Sequence, residues 1–262
     1  FNYGAHAAIA LGAKTAAITR LKKNDIHVIN NLVSAGIDAF PTYTNDSTHM
    51  ELIYPTDDFD DRVLVMPKSA GSFTSDQFEN IKSKVFLVNA SIRDEFKVET
   101  LVDLIKKGSL IGIDLQGFIR TIDKNSVLIN SNWKEKKEAL GLTHYLKADG
   151  VEAEFLTGES DLISAAKILK SYGPKEVIIT HKDGVLVYDG ENIYQEPFIL
   201  DEIIGRSGRG DTCGASYVYK RLTLNPKNSI KWAAAATSLK MESDTPLKNT
   251  IHEIENRVSK YK

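Results

Sequence analysis

Strand-like and helix-like stretches alternate along this 262-residue chain, and the strand-like ones are near-continuous apolar runs. Val85 to Val88, Leu110 to Leu115 and Glu176 to Thr180 are such runs. A strand that is apolar on both faces needs cover on both, so the pattern predicts an α/β chain: a mainly parallel sheet between two helical layers. Thr15 to Thr19 reads as a further short strand. Helical spacing covers Asn24 to Ala35, Val98 to Lys107, Asn132 to Leu140 and Asp161 to Tyr172, the last capped by Ser160 and closed by Gly173-Pro174. Later helices fall at about 213–222, 229–241 and 249–261. Val185 to Tyr188 pairs back on Glu176 to Thr180 around a Lys182-Asp183-Gly184 turn.

Two features break the alternation. Phe40 to Tyr54 and Arg62 to Met66 are extended segments around the acidic turn Asp57-Asp58-Phe59-Asp60-Asp61. They predict a small β flap, from about residue 40 to 70, over the sheet edge. At the other place, Ala5 to Leu11 reads as a helix entered midway and stopped by Gly12. An opening strand is therefore expected before Phe1.

At 42% hydrophobic and 26% charged, the chain has ample material for one large core. Net charge is −2 without a basic block, which argues against a nucleic-acid or acidic-membrane partner. No apolar run approaches the ~20 residues that span a bilayer. Cys213 is the single cysteine, so no intrachain disulfide forms, and a cytoplasmic location is expected.

The candidate chemistry sits at Gly205-Arg206-Ser207-Gly208-Arg209-Gly210-Asp211, which runs through Thr212-Cys213-Gly214-Ala215-Ser216 into a helix. Glycines let backbone N–H groups turn toward an anion, and a helix start adds free N–H groups and a positive dipole end. A carboxylate would repel a phosphate held there. It makes sense as a base beside a phosphate that a hydroxyl attacks, with Arg206 and Arg209 balancing charge. A plain tight turn with Asp211 as N-cap stays open. The order G-x-G-x-x-G of a dinucleotide turn is absent, and no Lys-Ser or Lys-Thr follows as in a P-loop. Arg209-Gly210-Asp211 also spells an adhesion tripeptide, but the composition is not that of a secreted module.

Gly208-Arg209-Gly210-Asp211 with Thr212-Cys213-Gly214-Ala215 resembles the C-terminal signature of the ribokinase-like (PfkB) carbohydrate kinases. Asp149-Gly150-Val151-Glu152, with Glu154-Phe155-Leu156-Thr157-Gly158, resembles that family's Asn-x-x-Glu motif and the Leu-Thr-Gly after it. Thr180 to Asp189 resembles the nucleotide-side hairpin. Asp114-Leu115-Gln116-Gly117-Phe118-Ile119-Arg120 resembles the inositol-kinase-like branch, which also tends to read Gly-Arg-(Ser/Thr)-Gly-Arg-Gly-Asp. The chain departs from the wider family in Gly205-Arg206, Arg209, Asp149 and the region of His181.

The resemblance implies a ribokinase-like three-layer sandwich with a β lid, ATP and Mg²⁺ as cofactors, and a small carbohydrate or polyol as acceptor. Asp211 would be the base, and the loop Gly208, Arg209, Gly210 with Arg206 the anion hole. Thr180, Gly184 and Gly214 would lie on the nucleotide side. Glu152 and Asp149 would hold Mg²⁺ through water. Independently of the resemblance, Asn89, Asp114, Gln116 and Arg120 follow strands, where α/β sheets present ligand groups, and are expected to meet substrate; Ser47, Thr48, His49 or Glu51 would meet it from one face of the flap. Alanines 233 to 236 would pack a helix closely or line an adenine pocket. Flap edges want covering, which suggests a homodimer through the lid. A nucleoside kinase and a non-catalytic binding protein on the same fold remain alternatives.

Overall fold

A computed structural model describes residues 1–53, 55–56 and 63–262. In chain order the elements are α1 (Asn2–Ala10), β1 (Ala16–Lys22), α2 (Ile26–Ser34), β2 (Asp38–Thr44), β3 (His49–Ile53), β4 (Val63–Lys68), β5 (Val85–Val88) and α3 (Val98–Lys106). There follow β6 (Leu110–Asp114), α4 (Gln116–Ile119), β7 (Arg120–Ile122), β8 (Leu128–Asn130), α5 (Lys136–Gly141), β9 (Tyr145–Asp149) and α6 (Gly150–Thr157). The chain then runs through α7 (Leu162–Ser171), β10 (Glu176–Thr180), β11 (Gly184–Tyr188), β12 (Ile193–Pro197), α8 (Arg209–Arg221), α9 (Pro226–Met241) and α10 (Ile251–Val258).

The central sheet has the order β12-β11-β10-β9-β6-β5. Its β5, β6, β9 and β10 are parallel, and β11 and β12 add an antiparallel edge. Every residue of β10 is buried, and its side chains alternate between two cores. Val177 and Ile179 join the core under α3, α5, α6 and α7, while Ile178 joins the one under α8 and α9. This is the expected three-layer α/β sandwich. The alanines 233 to 236 are fully buried in α9 and pack it closely.

β1 and β2 form a separate parallel pair under α2. A cleft of about 1070 Å³ separates that pair from β5, lined by Ala17, Thr19, Phe86 and Val88 among others. β3 and β4 form an antiparallel hairpin whose register shifts between His49 and Glu51. A Val65–Val127 bridge and the Met66 N–H to Ser126 carbonyl bond (2.8 Å) join it to the β7–β8 hairpin.

The small β layer therefore draws on β3, β4, β7 and β8, while Phe40 to Thr44 belongs to β2 against β1. The acidic turn Asp57 to Asp61 lies outside the described residues. The helix expected from Asn132 starts only at Lys136, because Trp133 is spent filling the core against Phe118. Asp161, not Ser160, caps α7 by accepting from the Ser164 N–H. Among the described residues no helix is long and apolar enough to cross a membrane.

Candidate active site

Helix α8 starts at Arg209, four residues before the expected position, so Asp211 is its third residue and Gly208 its N-cap. Gly208 has φ +77°, and a β-carbon there would lie 2.0 Å from the Tyr3 ring. Only glycine satisfies both the left-handed backbone and that contact. The Arg209 N–H is used by the Arg206 carbonyl at 3.2 Å. The amides of Gly208, Gly210 and Asp211 have no acceptor among the described residues, as expected of a helix start awaiting an anion.

Asp211 is fixed from the sheet side. The Asn89 amide, just past the end of β5, donates to its Oδ1 at 3.1 Å. Burial pushes the Asp211 pKa up. The Lys147 ammonium and the Asn89 amide pull it back down. The carboxylate is therefore ionised and able to accept a proton.

Under the first turn of α8 lies a residue that the sequence motifs do not flag. Lys147, in the middle of the central strand β9, is only 8% exposed. Its Nζ sits 3.0 Å from Asp114 Oδ2 and 3.8 Å from Glu152 Oε2. Burial alone would drive the proton off; Asp114, Glu152, Asp149 and Asp211 together hold the ammonium above the ordinary lysine range. Burial pushes Asp114 up against the pull of Lys147, and pushes Glu152 up to about 7. Asn89, Asp114, Lys147, Gly210, Asp211 and Gly214 line one small cavity of about 20 Å³, room for about one water.

Glu152 and Asp149 make a reciprocal cap on α6. The Glu152 N–H donates to Asp149 Oδ1, and the Asp149 N–H to Glu152 Oε2, both at 2.8 Å. Arg120 donates to Glu152 Oε1 at 3.4 Å. Both Glu152 oxygens thus already face donors, and no group of three or more metal-ligating residues exists among the described ones. With its oxygens so engaged, Glu152 would reach a Mg²⁺ ion through water, as expected from the motif, rather than as a direct ligand.

The other expected contacts divide. Gln116 opens α4, and its N–H donates to Asp114 Oδ1 at 3.3 Å. Arg206 is exposed, Arg209 half-buried, and both have partners in the folded chain. Arg209 is close enough to His181 to help burial lower that ring's pKa, which sets the β10–β11 turn beside the start of α8.

The three residues expected on the nucleotide side are all buried. Thr180 is fully buried, with its hydroxyl 3.5 Å from the Ala148 carbonyl. Gly184 belongs to β11 rather than to the turn, and a β-carbon there would meet the Glu196 carbonyl at 2.4 Å. Gly214 is buried in α8, where a β-carbon would touch Lys147 Cγ at 3.4 Å. Of the two glycines, only Gly184 is required by a close approach; at Gly214 a β-carbon would make an ordinary contact. Cys213 is buried too, and burial pushes its thiol up to about 11, which makes it unreactive.

On the flap side, Thr48 donates to Glu95 Oε1 at 2.9 Å and accepts from the Ala70 N–H at 3.1 Å. Glu95, 6% exposed, also accepts from the Ser91 N–H at 2.7 Å. His49 and Glu51 are exposed and 3.3 Å apart. Thr48, His49, Asn89 and Glu95 all line the large cleft.

The model of the pfkB family of carbohydrate kinases matches residues 4–247. This chain belongs to that family. The family member also superposes, at a TM-score of 0.90, on a sulfate complex of a pyrophosphate-dependent kinase in the ribokinase family. The two are 31% identical, over 97% of this chain and 89% of that one. A pyrophosphate-dependent kinase in the ribokinase family, complexed with a pyrophosphate analog and myo-inositol, is similar at 30% identity and a TM-score of 0.89, with the same coverage. The cytidine kinase of Thermococcus kodakarensis is 26% identical over 228 residues, 82% of this chain and 76% of that protein. The chain is thus a ribokinase-like phosphotransferase acting on a hydroxyl group.

Proposed function

We propose that this kinase phosphorylates a hydroxyl of a small cyclic polyol of the inositol class, with pyrophosphate as donor. The observation that carries the chemistry is the pairing of an ionised Asp211, steadied by Asn89, with the unpartnered amides of Gly208, Gly210 and Asp211. Asp211 takes the proton of the acceptor hydroxyl as the hydroxyl oxygen attacks the terminal phosphorus. The amides receive the charge that grows on the transferring group, and the bond to the leaving phosphate breaks. The acceptor is read as entering from the cleft that Asn89 shares with Thr48, His49 and Glu95. The flap of β3 and β4 over that cleft serves as a lid that excludes water.

The two similar pyrophosphate-dependent kinases favour this donor over the ATP expected from the motifs. The myo-inositol complex favours the acceptor class. A nucleoside kinase using ATP is the second reading, favoured by the similarity to cytidine kinase. A homodimer through the lid and a cytoplasmic location complete the proposal. The test offers pyrophosphate or ATP, in Mg²⁺ buffer, with myo-inositol, other polyols, sugars or cytidine, and follows phosphorylated product. Transfer from pyrophosphate to an inositol is expected. Turnover of cytidine with ATP alone would install the second reading. Tight ligand binding without turnover in any pairing would make the protein non-catalytic.

A further inference from the structure

Lys240 is the second buried lysine of this fold, and the mechanism above does not use it. It lies in the last turn of α9 and is fully buried. A lysine at a helix C-terminus usually reaches the last carbonyls of its own helix with its head in water. Lys240 does more. Its Nζ donates to the Ser243 carbonyl at 3.0 Å and to the Gly205 carbonyl, 35 residues away, at 3.1 Å. It also stands 5.2 Å from the centre of the Tyr3 ring, within the range of a cation–π contact. That same ring is the surface on which Gly208 packs.

The segment it grips is the start of the glycine-rich loop. Ile204 and Gly205 donate to the Met241 carbonyl at 2.9 and 3.1 Å. A β-carbon on Gly205 would stand 2.7 Å from the Ser243 oxygen. The backbones of the two segments therefore lie against each other, with two carbonyl oxygens converging on one point. Converging carbonyl dipoles repel unless a cation sits between them. An ammonium group has nearly the charge density of a potassium ion, and carbonyl oxygens are ligands for either.

We propose that Lys240 is a built-in monovalent cation that positions the glycine-rich loop, making phosphoryl transfer independent of dissolved potassium or ammonium. The ammonium fixes Gly205 from one side, and through Tyr3 it backs Gly208 from the other. The amides that receive the transferring group start immediately after. Lys240 is a positioning residue: it touches neither Asp211 nor the cavity around it. This role rests on the kinase reading above.

The experiment compares wild type and Lys240→Met in sodium, potassium, ammonium and tetramethylammonium chloride at matched ionic strength. Turnover is read beside hydrogen exchange of the amides at 203–210. Wild-type kcat should be the same in all four salts. Lys240→Met should lose about 10- to 100-fold in kcat, the scale of a misplaced reacting group, while the acceptor KM stays near wild type. Its 203–210 amides should exchange faster. Potassium and ammonium should restore both readouts in part, and tetramethylammonium, too large for the two carbonyls, should restore neither.

Wild-type activity that requires potassium or ammonium would overturn the proposal. So would a Lys240→Met protein with unchanged kcat and exchange, or losses that no cation recovers. If the wild type transfers no phosphoryl group, the kinase reading fails, and exchange with its cation response decides the tether alone. Should Lys240→Met not fold, Lys240→Gln, which donates to carbonyls without a charge, carries the same test.

Discussion

A β-carbon on Gly210 would lie 2.5 Å from Lys147 Nζ, so the glycine-rich helix start rests directly on a buried ammonium. Gly214, one turn on, rests on the stem of the same side chain. The glycines of this signature thus do two jobs. They free backbone amides for an anion, and they let the helix settle onto the charge that neutralises the carboxylates beneath it.

Gly210→Ala is therefore expected to act through Lys147. The displaced atoms are the far end of a flexible side chain, so the fold should survive. The ammonium must leave Asp114, and the cradle must lift. We expect kcat/KM to fall about 100-fold with a Tm loss of only a few degrees. Gly208→Ala should show the opposite balance, because its obstacle is the rigid Tyr3 ring and its φ is +77°. Steady-state kinetics and thermal melts of the two variants check the contrast.

Lys147→Met removes the cation from a buried cluster and leaves Asp114 and Glu152 without it. Breaking a buried pair on one side typically costs about 3–5 kcal/mol, or roughly 6–20 °C in Tm for a chain of this size. Adding Asp114→Asn to this variant removes the orphaned charge and should recover part of the loss. A double variant no more stable than Lys147→Met would show that Lys147 acts by packing alone.

Glu152 gives stability a pH dependence with a definite sign. Its pKa is raised from 4.5 to about 7 in the folded chain, chiefly by burial. Between those two values the folded state binds more protons than the unfolded state, so this group makes stability fall as pH rises. The cost is absent below pH 4.5 and fully present above pH 7. Glu152→Gln does not titrate. Its Tm relative to wild type should therefore climb from pH 5 to pH 8, and a flat difference would contradict the burial argument.

Much of this could be read in the sequence, for physical reasons. The runs at Val85, Leu110 and Glu176 are apolar because two helical layers cover them, and that alone indicates the three-layer fold. Asp211 showed itself by being a carboxylate where an anion site was forming. The central strand β9 stayed hidden because Lys147 and Asp149 interrupt Tyr145-Leu146-Lys147-Ala148-Asp149, and a lysine in a short stretch reads as solvent-facing. One signal was available: Gly210 and Gly214, four apart on one helix face, imply a bulky neighbour beneath. Gly184 was read as a turn glycine because its need is non-local, the Glu196 carbonyl of β12. Lys240 looks like any lysine closing a helix until its tie to Gly205 is seen.

Asp211→Asn tests the base itself. The Asn89 amide donates to Asp211 Oδ1, and an asparagine can still offer an oxygen there, so the fold should be kept. General-base catalysis typically contributes about 10²- to 10⁴-fold, and kcat should fall on that scale with donor affinity nearly unchanged. A carboxylate beside the Lys147 ammonium and the Asn89 amide is ionised throughout pH 6–9, so Asp211 should put no inflection in the rate there. An inflection near pH 7 that arises from Glu152 should vanish in Glu152→Gln, whereas one that arises from protonation of the pyrophosphate donor should remain. A pH–rate profile of the three proteins checks both. Full activity in Asp211→Asn would remove Asp211 as the base, since the amide cannot take the proton.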